Sequence, residues 1–167
     1  MSEATFTRGQ IVVGTLCYAL RDDAVLLLQR NRPPQQGKWS PPGGKMELGE
    51  APEECVIREM HEETGLTISQ PELRAVVTVF DQEWPIHWLL FIFRVRTFSG
   101  TLCESDEGEL RWIPLAELDQ YNRPYGDSVH WPYIIGEQAG VWRGKFTYHT
   151  PHTLLDEQVF SRPNPMP

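Results

Sequence analysis

The sequence is poor in cysteine and in positive charge, and it has no long apolar run. Three of its 167 residues are cysteines, and their wide, irregular spacing predicts neither a zinc site nor a disulfide framework. Lys and Arg total 15 against 23 Asp and Glu, so we expect no surface for nucleic acid. No segment suggests a membrane span, and no basic-then-apolar leader precedes Ile11. We therefore expect a cytoplasmic protein with small buried thiols that acts on neither membranes nor nucleic acids.

The length and the hydrophobic content of 40% suit one domain, spanning 1–167, with a sizeable core over about 10–160. Alternating apolar residues predict β-strands, and helical periodicity with capping residues predicts helices. The expected strands are 11–20, 24–29, 72–80, 87–97, 110–113 and 141–149. The expected helices are 51–63, 114–118 and 129–138. A turn is predicted at 82–85, and disorder at 1–10 and from 162 onward. Strands mixed with helices in this order indicate an α/β sandwich with a mixed sheet.

A group of carboxylates on the helix predicted at 51–63 is the most informative feature. Glu59, Glu62 and Glu63 stand at i, i+3 and i+4, which places them on one helix face. Such crowding is unfavourable unless a cation neutralises it, and hard cations such as Mg²⁺ prefer oxygen ligands and phosphates. A solvated acidic surface is the alternative interpretation of the same run.

The residues on either side of these acids favour a built site. The run Pro41-Pro42-Gly43-Gly44 precedes the helix, and glycine permits backbone to approach a ligand closely. Pro52 suits a first helical turn, and Gly65 suits the position after the last turn. Val56, Ile57 and Met60 are expected to form the apolar stripe that packs on the core.

The segment 44–66 resembles the signature of the Nudix hydrolases at nine fixed positions. They are Gly44, Glu50, Arg58, Glu59, Met60, Glu62, Glu63, Gly65 and Leu66. The resemblance implies an α/β/α sandwich with a mixed sheet, in which the signature forms a loop-helix-loop unit. It also implies hydrolysis of a diphosphate linked to another group, with Mg²⁺ as cofactor and Mn²⁺ as a substitute.

The resemblance further implies roles for individual residues. Glu59 is expected to be the central metal ligand and a candidate base, with Glu62, Glu63 and the Gly44 carbonyl as further ligands. Arg58 is expected to pair with Glu50 and to fix the geometry of the carboxylates. An ordinary surface ion pair is the alternative interpretation of Arg58 and Glu50.

A second acidic run, 104–109, precedes a W-x-P-L segment. In Nudix proteins a loop glutamate at this place often supplies another metal ligand or the base. Its position favours Glu107 over Glu104 and Glu109. A solvated acidic loop is the alternative interpretation.

Segments outside the signature resemble the MutT-like branch and the oxidised-purine nucleoside triphosphatases. They are KWSPPGGK, ESDEGELRWIPL, GDSVHWPYI and WRGKFTYHTPHTLLD. The resemblance implies a nucleoside triphosphate as the small-molecule substrate, cleaved to monophosphate and pyrophosphate. The candidate substrate-binding residues are Arg30, Ser40, Lys45, Tyr125, Asp127 and Trp131.

The chain departs from the oxidised-purine pattern in three places. Gly126 replaces an acid, Pro124 falls where a stacking tryptophan is expected, and Ser40 replaces an asparagine. Asp127 also suits the N-cap of the helix predicted at 129–138. The alternative functions are therefore a hydrolase of ADP-ribose or of another nucleoside diphosphate derivative, and a non-catalytic nucleotide-binding regulator.

Overall fold

The computed structural model describes residues 10–33, 35–82, 86–103, 105–150 and 153–163, which form ten β-strands and two α-helices. The first five strands are β1 (Gln10–Arg21), β2 (Ala24–Arg30), β3 (Trp39–Ser40), β4 (Thr67–Ser69) and β5 (Glu72–Asp81). The others are β6 (Ile86–Val95), β7 (Thr97–Ser99), β8 (Gly108–Pro114), β9 (Trp142–Thr150) and β10 (Thr153–Ser161). The α-helices are α1 (Pro52–Thr64) and α2 (Tyr125–Ile135), and a 3₁₀ helix spans Leu115–Gln120.

The main sheet is mixed, as predicted. Its order is β10-β9-β5-β6-β1-β2-β3, with β8 paired to β2, while β4 and β7 form a separate two-stranded sheet. The pairs β1·β6 and β5·β9 are parallel, and the pairs β5·β6 and β9·β10 are antiparallel. The strand β6, apolar on both faces, lies in the middle of the sheet, as expected for a strand buried on both sides.

The two α-helices cover opposite faces of this sheet. Successive side chains of a strand point to opposite faces, so Cys17 and Ala19 of β1 pack with Val56 and Met60 of α1. Tyr18 of the same strand lies in the second cluster, with residues from α2 and β9. The α/β sandwich expected from the sequence is thereby confirmed. No described helix is long and apolar enough to cross a membrane.

Helix α1 begins and ends close to its predicted limits. Pro52 occupies its first turn, and the Glu54 carboxylate accepts a hydrogen bond of 2.7 Å from the backbone N–H of Ala51. Gly65 ends the helix with φ of 76°, a left-handed conformation that glycine adopts without a steric cost. Of the predicted apolar stripe, Val56 and Met60 are buried, but Ile57 is 37% exposed, because it lies to the side of the face that meets the sheet.

Helix α2 differs from its prediction at both ends. It begins at Tyr125 and ends at Ile135. The N-cap residue is Pro124, whose side chain makes no capping hydrogen bond. Asp127 therefore lies in the first turn, and its prediction as a helix cap is wrong. The cause is tertiary, because the Asp127 side chain is turned into the core and bonded there.

Five further expectations differ from the structure or fall outside it. The strand β9 is followed by a tenth strand, β10, which the mixed polar and apolar run 153–161 did not reveal. Cys103 is exposed, whereas Cys17 and Cys55 are buried. The predicted frayed segment 1–10 lies outside the described residues apart from Gln10, and so does most of the predicted turn 82–85. Of the tail expected to be disordered, Pro163 is buried, and 164–167 lie outside the described residues.

Candidate active site

Arg58 of α1 forms hydrogen bonds with three carboxylates, two on α1 and one in the loop that precedes it. Its guanidinium donates to both oxygens of Glu50, at 2.6 and 2.9 Å. The Nη1 group donates to Glu59 at 2.8 Å and to Glu62 at 3.1 Å. Since a guanidinium presents its donors in a rigid plane, this network fixes the carboxylates relative to one another.

The charges of Glu50 and Arg58 stabilise each other. Hydrogen bonds from Arg58, and then one from the Glu47 backbone, lower the pKa of Glu50 to about 2. The hydrogen bonds to Glu50 and Glu59 raise the pKa of Arg58. Both groups are therefore charged at neutral pH.

Glu59 lies at the closest approach between α1 and the preceding loop. A Cβ atom placed on Gly44 would stand 2.4 Å from Cδ and Oε2 of Glu59 and 2.5 Å from Oε1. The Glu59 carboxylate can occupy this position only because residue 44 has no Cβ atom. The Gly44 carbonyl accepts a hydrogen bond of 2.8 Å from the Thr15 backbone, which anchors the loop to β1. Burial raises the pKa of Glu59, with opposing hydrogen bonds from Arg58.

Glu63 faces the same loop from the next turn of the helix. Its Oε2 accepts a hydrogen bond of 2.9 Å from the Gly43 backbone N–H. The pKa of Glu63 is raised to about 7, mainly by burial and to a smaller extent by the charges of Glu59 and Glu107, against the hydrogen bond from Gly43 and the charge of Arg30. The downstream acidic loop and the end of β2 therefore both lie within electrostatic reach of this carboxylate.

Within the second acidic run, the structure distinguishes the three glutamates. Glu107 acts on Glu63 and lies 3.6 Å from Arg32. Glu109 is bonded instead to Arg111, two residues along the same strand. Glu104 lies outside the described residues. The choice of Glu107 remains a prediction, and its proximity to Glu63 favours it.

These residues fit a hard divalent cation in their chemistry. Burial raises the pKa of both Glu59 and Glu63, and neighbouring carboxylates add to it, Glu62 and Glu50 for Glu59, and Glu59 and Glu107 for Glu63; a bound cation would relieve this repulsion. Glu62 and the Gly44 carbonyl offer further oxygen atoms beside them. Among the described residues no three acidic, histidine or cysteine side chains stand ready to hold a metal, since Arg58 and the Gly43 amide occupy carboxylate oxygens.

A second polar group is buried on the opposite face of the sheet. The Tyr18 hydroxyl of β1 donates to Oδ1 of Asp127 in α2, and Oδ2 lies 3.7 Å from Nη1 of Arg123. Burial raises the pKa of Asp127 to about 6, against the effects of Tyr18 and Arg123. His130, one turn along α2, packs on Trp142 and Phe146, and burial followed by the charge of Arg123 lowers its pKa to about 3.

The other predicted substrate-binding residues are spread around these two groups. The Tyr125 hydroxyl donates to Glu157 of β10 at 3.0 Å. The Trp131 ring lies 5.4 Å from the Arg123 guanidinium, and the Lys45 ammonium lies 5.8 Å from the Trp88 ring. The remaining two lie on strands of the main sheet, Ser40 buried in β3 and Arg30 at the end of β2.

Arg30 also lines a cleft of about 510 Å³ between the loops that follow β2 and precede β8. Gln29, Asn31 and Glu109 are among the other polar residues of its wall. The backbone N–H of Asn31 in this wall donates to the Glu107 carbonyl at 2.9 Å, and the charge of Arg30 acts on Glu63 of α1.

Several residues of the site were not anticipated from the sequence. Tyr18 stands in an apolar strand, and Arg123 and His130 flank Asp127 at i−4 and i+3. The only available signal was the placing of a tyrosine at an inward position of β1, which requires a buried hydrogen-bond partner for its hydroxyl. That partner is 109 positions away in the chain.

Comparisons with known proteins agree with this geometry. The NUDIX domain family profile matches residues 10–134. An uncharacterised Nudix hydrolase of Bacillus subtilis, YvcI, is 37% identical over 149 residues, covering 87% of this chain and 92% of that protein. The oxidized purine nucleoside triphosphate hydrolase of Danio rerio is 28% identical over 137 residues, covering 81% and 86%.

A solved structure extends the agreement to the whole fold. The crystal structure of the mMutator MutT protein from Bacillus halodurans superposes with a TM-score of 0.80 at 34% identity. It covers 92% of this chain and 99% of that one. Nudix hydrolases act on small nucleotide substrates and generally use a divalent metal. The acidic face of α1, the loop that Gly44 brings against it and these similarities together place the chain in the NUDIX family, as a MutT-like Nudix hydrolase.

Proposed function

We propose that the protein is a Mg²⁺-dependent nucleoside triphosphate pyrophosphohydrolase. The observation that carries the proposal is the set of acids on α1, which Arg58 and the Gly43-Gly44 loop hold in place and of which Glu63 feels the charge of Arg30. A polyphosphate needs positive charge to approach such acids, and Arg30 and a bound cation would supply it. The expected setting is the cytoplasm, where the enzyme would remove unwanted nucleotides from the pool.

The residues that would hold the cation are Glu59, Glu62, Glu63 and the Gly44 carbonyl, with Glu107 as a further ligand. When bound, the ion neutralises phosphate charge and lowers the pKa of a coordinated water. The chain's own residues orient the reaction, because Arg58 keeps Glu59 in place through a bond of 2.8 Å.

The reaction we propose breaks the anhydride linkage between the α- and β-phosphorus atoms. A water oxygen bonds to one of these two phosphorus atoms, its proton passes to a carboxylate, and the bridging oxygen leaves with the other phosphorus. Burial raises the pKa of Glu59, which makes it a better proton acceptor than an exposed glutamate. The products are a nucleoside monophosphate and pyrophosphate.

The base that we propose is a purine, oxidised or ordinary. The similarity to the Danio rerio oxidized purine nucleoside triphosphate hydrolase supports it, and so does the cluster of Asp127 and Trp131 on α2. At Gly126, where the oxidised-purine pattern has an acid, a Cβ would lie 3.0 Å from the Phe146 ring. The tight packing of Phe146 thus leaves Asp127 as the single acid of this pair.

Substitution of Glu59 by glutamine tests the hydrolytic part of the proposal. We expect Glu59→Gln to reduce kcat by about 1,000-fold or more while the fold persists. Glu53→Gln is the matched control, since Glu53 is exposed in the first turn of the same helix and should retain normal activity. Full activity in Glu59→Gln would refute the assignment of Glu59.

A panel of substrates tests the identity of the nucleotide. Ordinary and 8-oxo purine triphosphates, pyrimidine triphosphates and ADP-ribose would be incubated with Mg²⁺, and products separated by chromatography. Hydrolysis in ¹⁸O-water identifies the phosphorus that is attacked, because attack at the α-phosphorus labels the monophosphate and attack at the β-phosphorus labels pyrophosphate. A preference for ADP-ribose would instead favour a hydrolase of nucleoside diphosphate derivatives. No turnover of any compound would favour a non-catalytic nucleotide-binding regulator.

A further inference from the structure

The C-terminal end of α2 lacks the usual means of satisfying its carbonyl groups. The last four carbonyls of a helix have no intrahelical partner, and a left-handed glycine commonly helps to cap them. Gly65 does so for α1, but Gly136, which follows α2, has φ of −68° and ψ of 165°. The carbonyls of α2 need donors from elsewhere.

Two buried arginines supply these donors. Nη2 of Arg74 donates to the carbonyls of Tyr133, Gly136 and Gln138, at 3.0, 2.9 and 2.6 Å. Nη1 of Arg94 donates to the Gly136 carbonyl at 2.6 Å and approaches that of Ile135 at 3.3 Å. Arg74 is 6% exposed and Arg94 is 4% exposed. We call this pair, Arg74 and Arg94, the arginine clamp.

The sheet presents the clamp in a specific way. Arg74 stands at a register shift of β5 between Leu73 and Ala75, and such bulges redirect a side chain. Arg94 lies directly across from Glu72, whose carboxylate it contacts at 2.6 Å. Two buried cations at the negative end of a helix dipole are favourable for the dipole, but burying them is costly. The cost of burying both arginines indicates that the position of α2 has to be fixed.

Helix α2 is poorly fixed by its own bonds. Pro132 lies inside it and has no amide hydrogen to donate to the Ser128 carbonyl. Its apolar side chains, among them the buried Ile134, pack on the sheet, and polar contacts hold its two ends, the clamp at the C-terminal end and Asp127, bonded to Tyr18, near the other.

We propose that Arg74 and Arg94 are positioning residues for base selection. By holding the C-terminal end of α2, they determine where Asp127 and Trp131 meet the base, without contact with substrate or phosphate. The inference rests on the proposed function, and it extends that function to two residues at the opposite end of α2 from Asp127. Loss of the clamp should impair discrimination between bases and leave the chemistry on α1 intact.

The test uses the full chain with Arg74→Lys, Arg94→Lys and Arg94→Met. Arg143→Lys is the control, because Arg143 is exposed on β9. The ratio of kcat/KM for dGTP to that for dCTP would be measured with Mg²⁺, alongside kcat at saturation and thermal unfolding by circular dichroism. We expect Arg94→Met to reduce the ratio about tenfold through KM, with kcat changed by less than about threefold. Arg94→Lys, which retains the charge, should restore part of the discrimination, and Arg143→Lys should match the wild type.

The outcomes separate this inference from the proposed function. A folded Arg74→Lys or Arg94→Lys protein whose base ratio equals that of the wild type overturns the inference, even if its melting temperature is lower. A fall in kcat that is equal for both nucleotides overturns it as well, since that pattern indicates a general structural role. A wild-type protein that hydrolyses neither nucleotide, or both equally, refutes the proposed base selection and this inference with it.

Discussion

The contact between Gly44 and the Glu59 carboxylate allows the geometry of the site to be changed almost without disturbing the fold. In Gly44→Ala the new Cβ would lie 2.4 Å from Cδ and Oε2 of Glu59. Ordinary contact between such atoms is about 3.5 Å, so the carboxylate must move by roughly 1 Å. The group that moves is the end of a flexible side chain, and the backbone at Gly44 does not have a left-handed conformation.

The expected effect on activity is large and the effect on stability is small. A misplacement of about 1 Å in a reacting group reduces the rate by about 100-fold, equivalent to about 2.7 kcal/mol. The bond from Arg58 to Glu59, of 2.8 Å, would weaken, and this costs about 0.5–1.5 kcal/mol of stability. Alanine also restricts the unfolded chain, which offsets about 0.4–1 kcal/mol of that loss.

Gly49→Ala is the matched control in the same loop. Gly49 has φ of 94°, and a Cβ there meets no atom within 4 Å. Its left-handed backbone should cost about 1–2 kcal/mol of stability on substitution, while the carboxylates stay in place. We therefore expect Gly44→Ala to be stable and nearly inactive, and Gly49→Ala to be less stable and active.

The assay combines release of nucleoside monophosphate in the presence of Mg²⁺ with urea unfolding of each variant. Gly44→Ala should lose more activity than Gly49→Ala, and Gly49→Ala should lose more stability than Gly44→Ala. If Gly44→Ala retains kcat/KM within about threefold of the wild type, the position of the Glu59 carboxylate does not control the reaction, and the reasoning fails.

Two other predictions concern the metal and the buried histidine. Mg²⁺ at about 100 times its Kd should raise the free energy of unfolding by about 2.7 kcal/mol, and this shift should disappear in Glu59→Gln; an equal shift in both proteins would exclude the α1 acids as the site. His130 has a folded pKa of about 3 against an ordinary 6.5, so its contribution to stability is present above pH 6.5 and is lost as pH falls towards 3. Between pH 7 and pH 5 the wild type should lose about 2 kcal/mol relative to His130→Phe, measured by urea unfolding at each pH; a constant difference would contradict the assignment.

The acidic face of α1 was predictable because its determinants are adjacent in the chain. The spacing of Glu59, Glu62 and Glu63 requires only a helix to bring them together, and the stop at Gly65 requires only a left-handed backbone. Helix α1 accordingly begins and ends within one residue of its predicted limits. The same local rules identified β1, β2 and the antiparallel pair of β5 and β6.

The α2 side could not be predicted because its determinants are far apart in the chain. Asp127 has the composition of a helix cap, and only the presence of Tyr18, brought to it by the sheet, turns it inward. The strand β10 escaped detection because it is an edge strand with register shifts against β9, so its inward positions do not alternate regularly. Ile57 appeared apolar on sequence grounds, yet its burial depends on where the sheet meets the helix.

The separation of the α1 acids from the residues around α2 matters for the substrate selection that we propose. In the function that we propose, the phosphate chemistry depends on a single loop and helix, in which a substitution acts on atoms that it touches directly. The base selection that we propose depends on β1, β5, β6 and α2, which meet only in the folded sheet. A change at Arg74 or Arg94 can therefore alter which base is accepted without altering how the phosphate bond is broken. Conversely, the contacts that hold Glu59 in place lie on the other face of the sheet from Asp127, so specificity can change while the hydrolytic residues stay fixed.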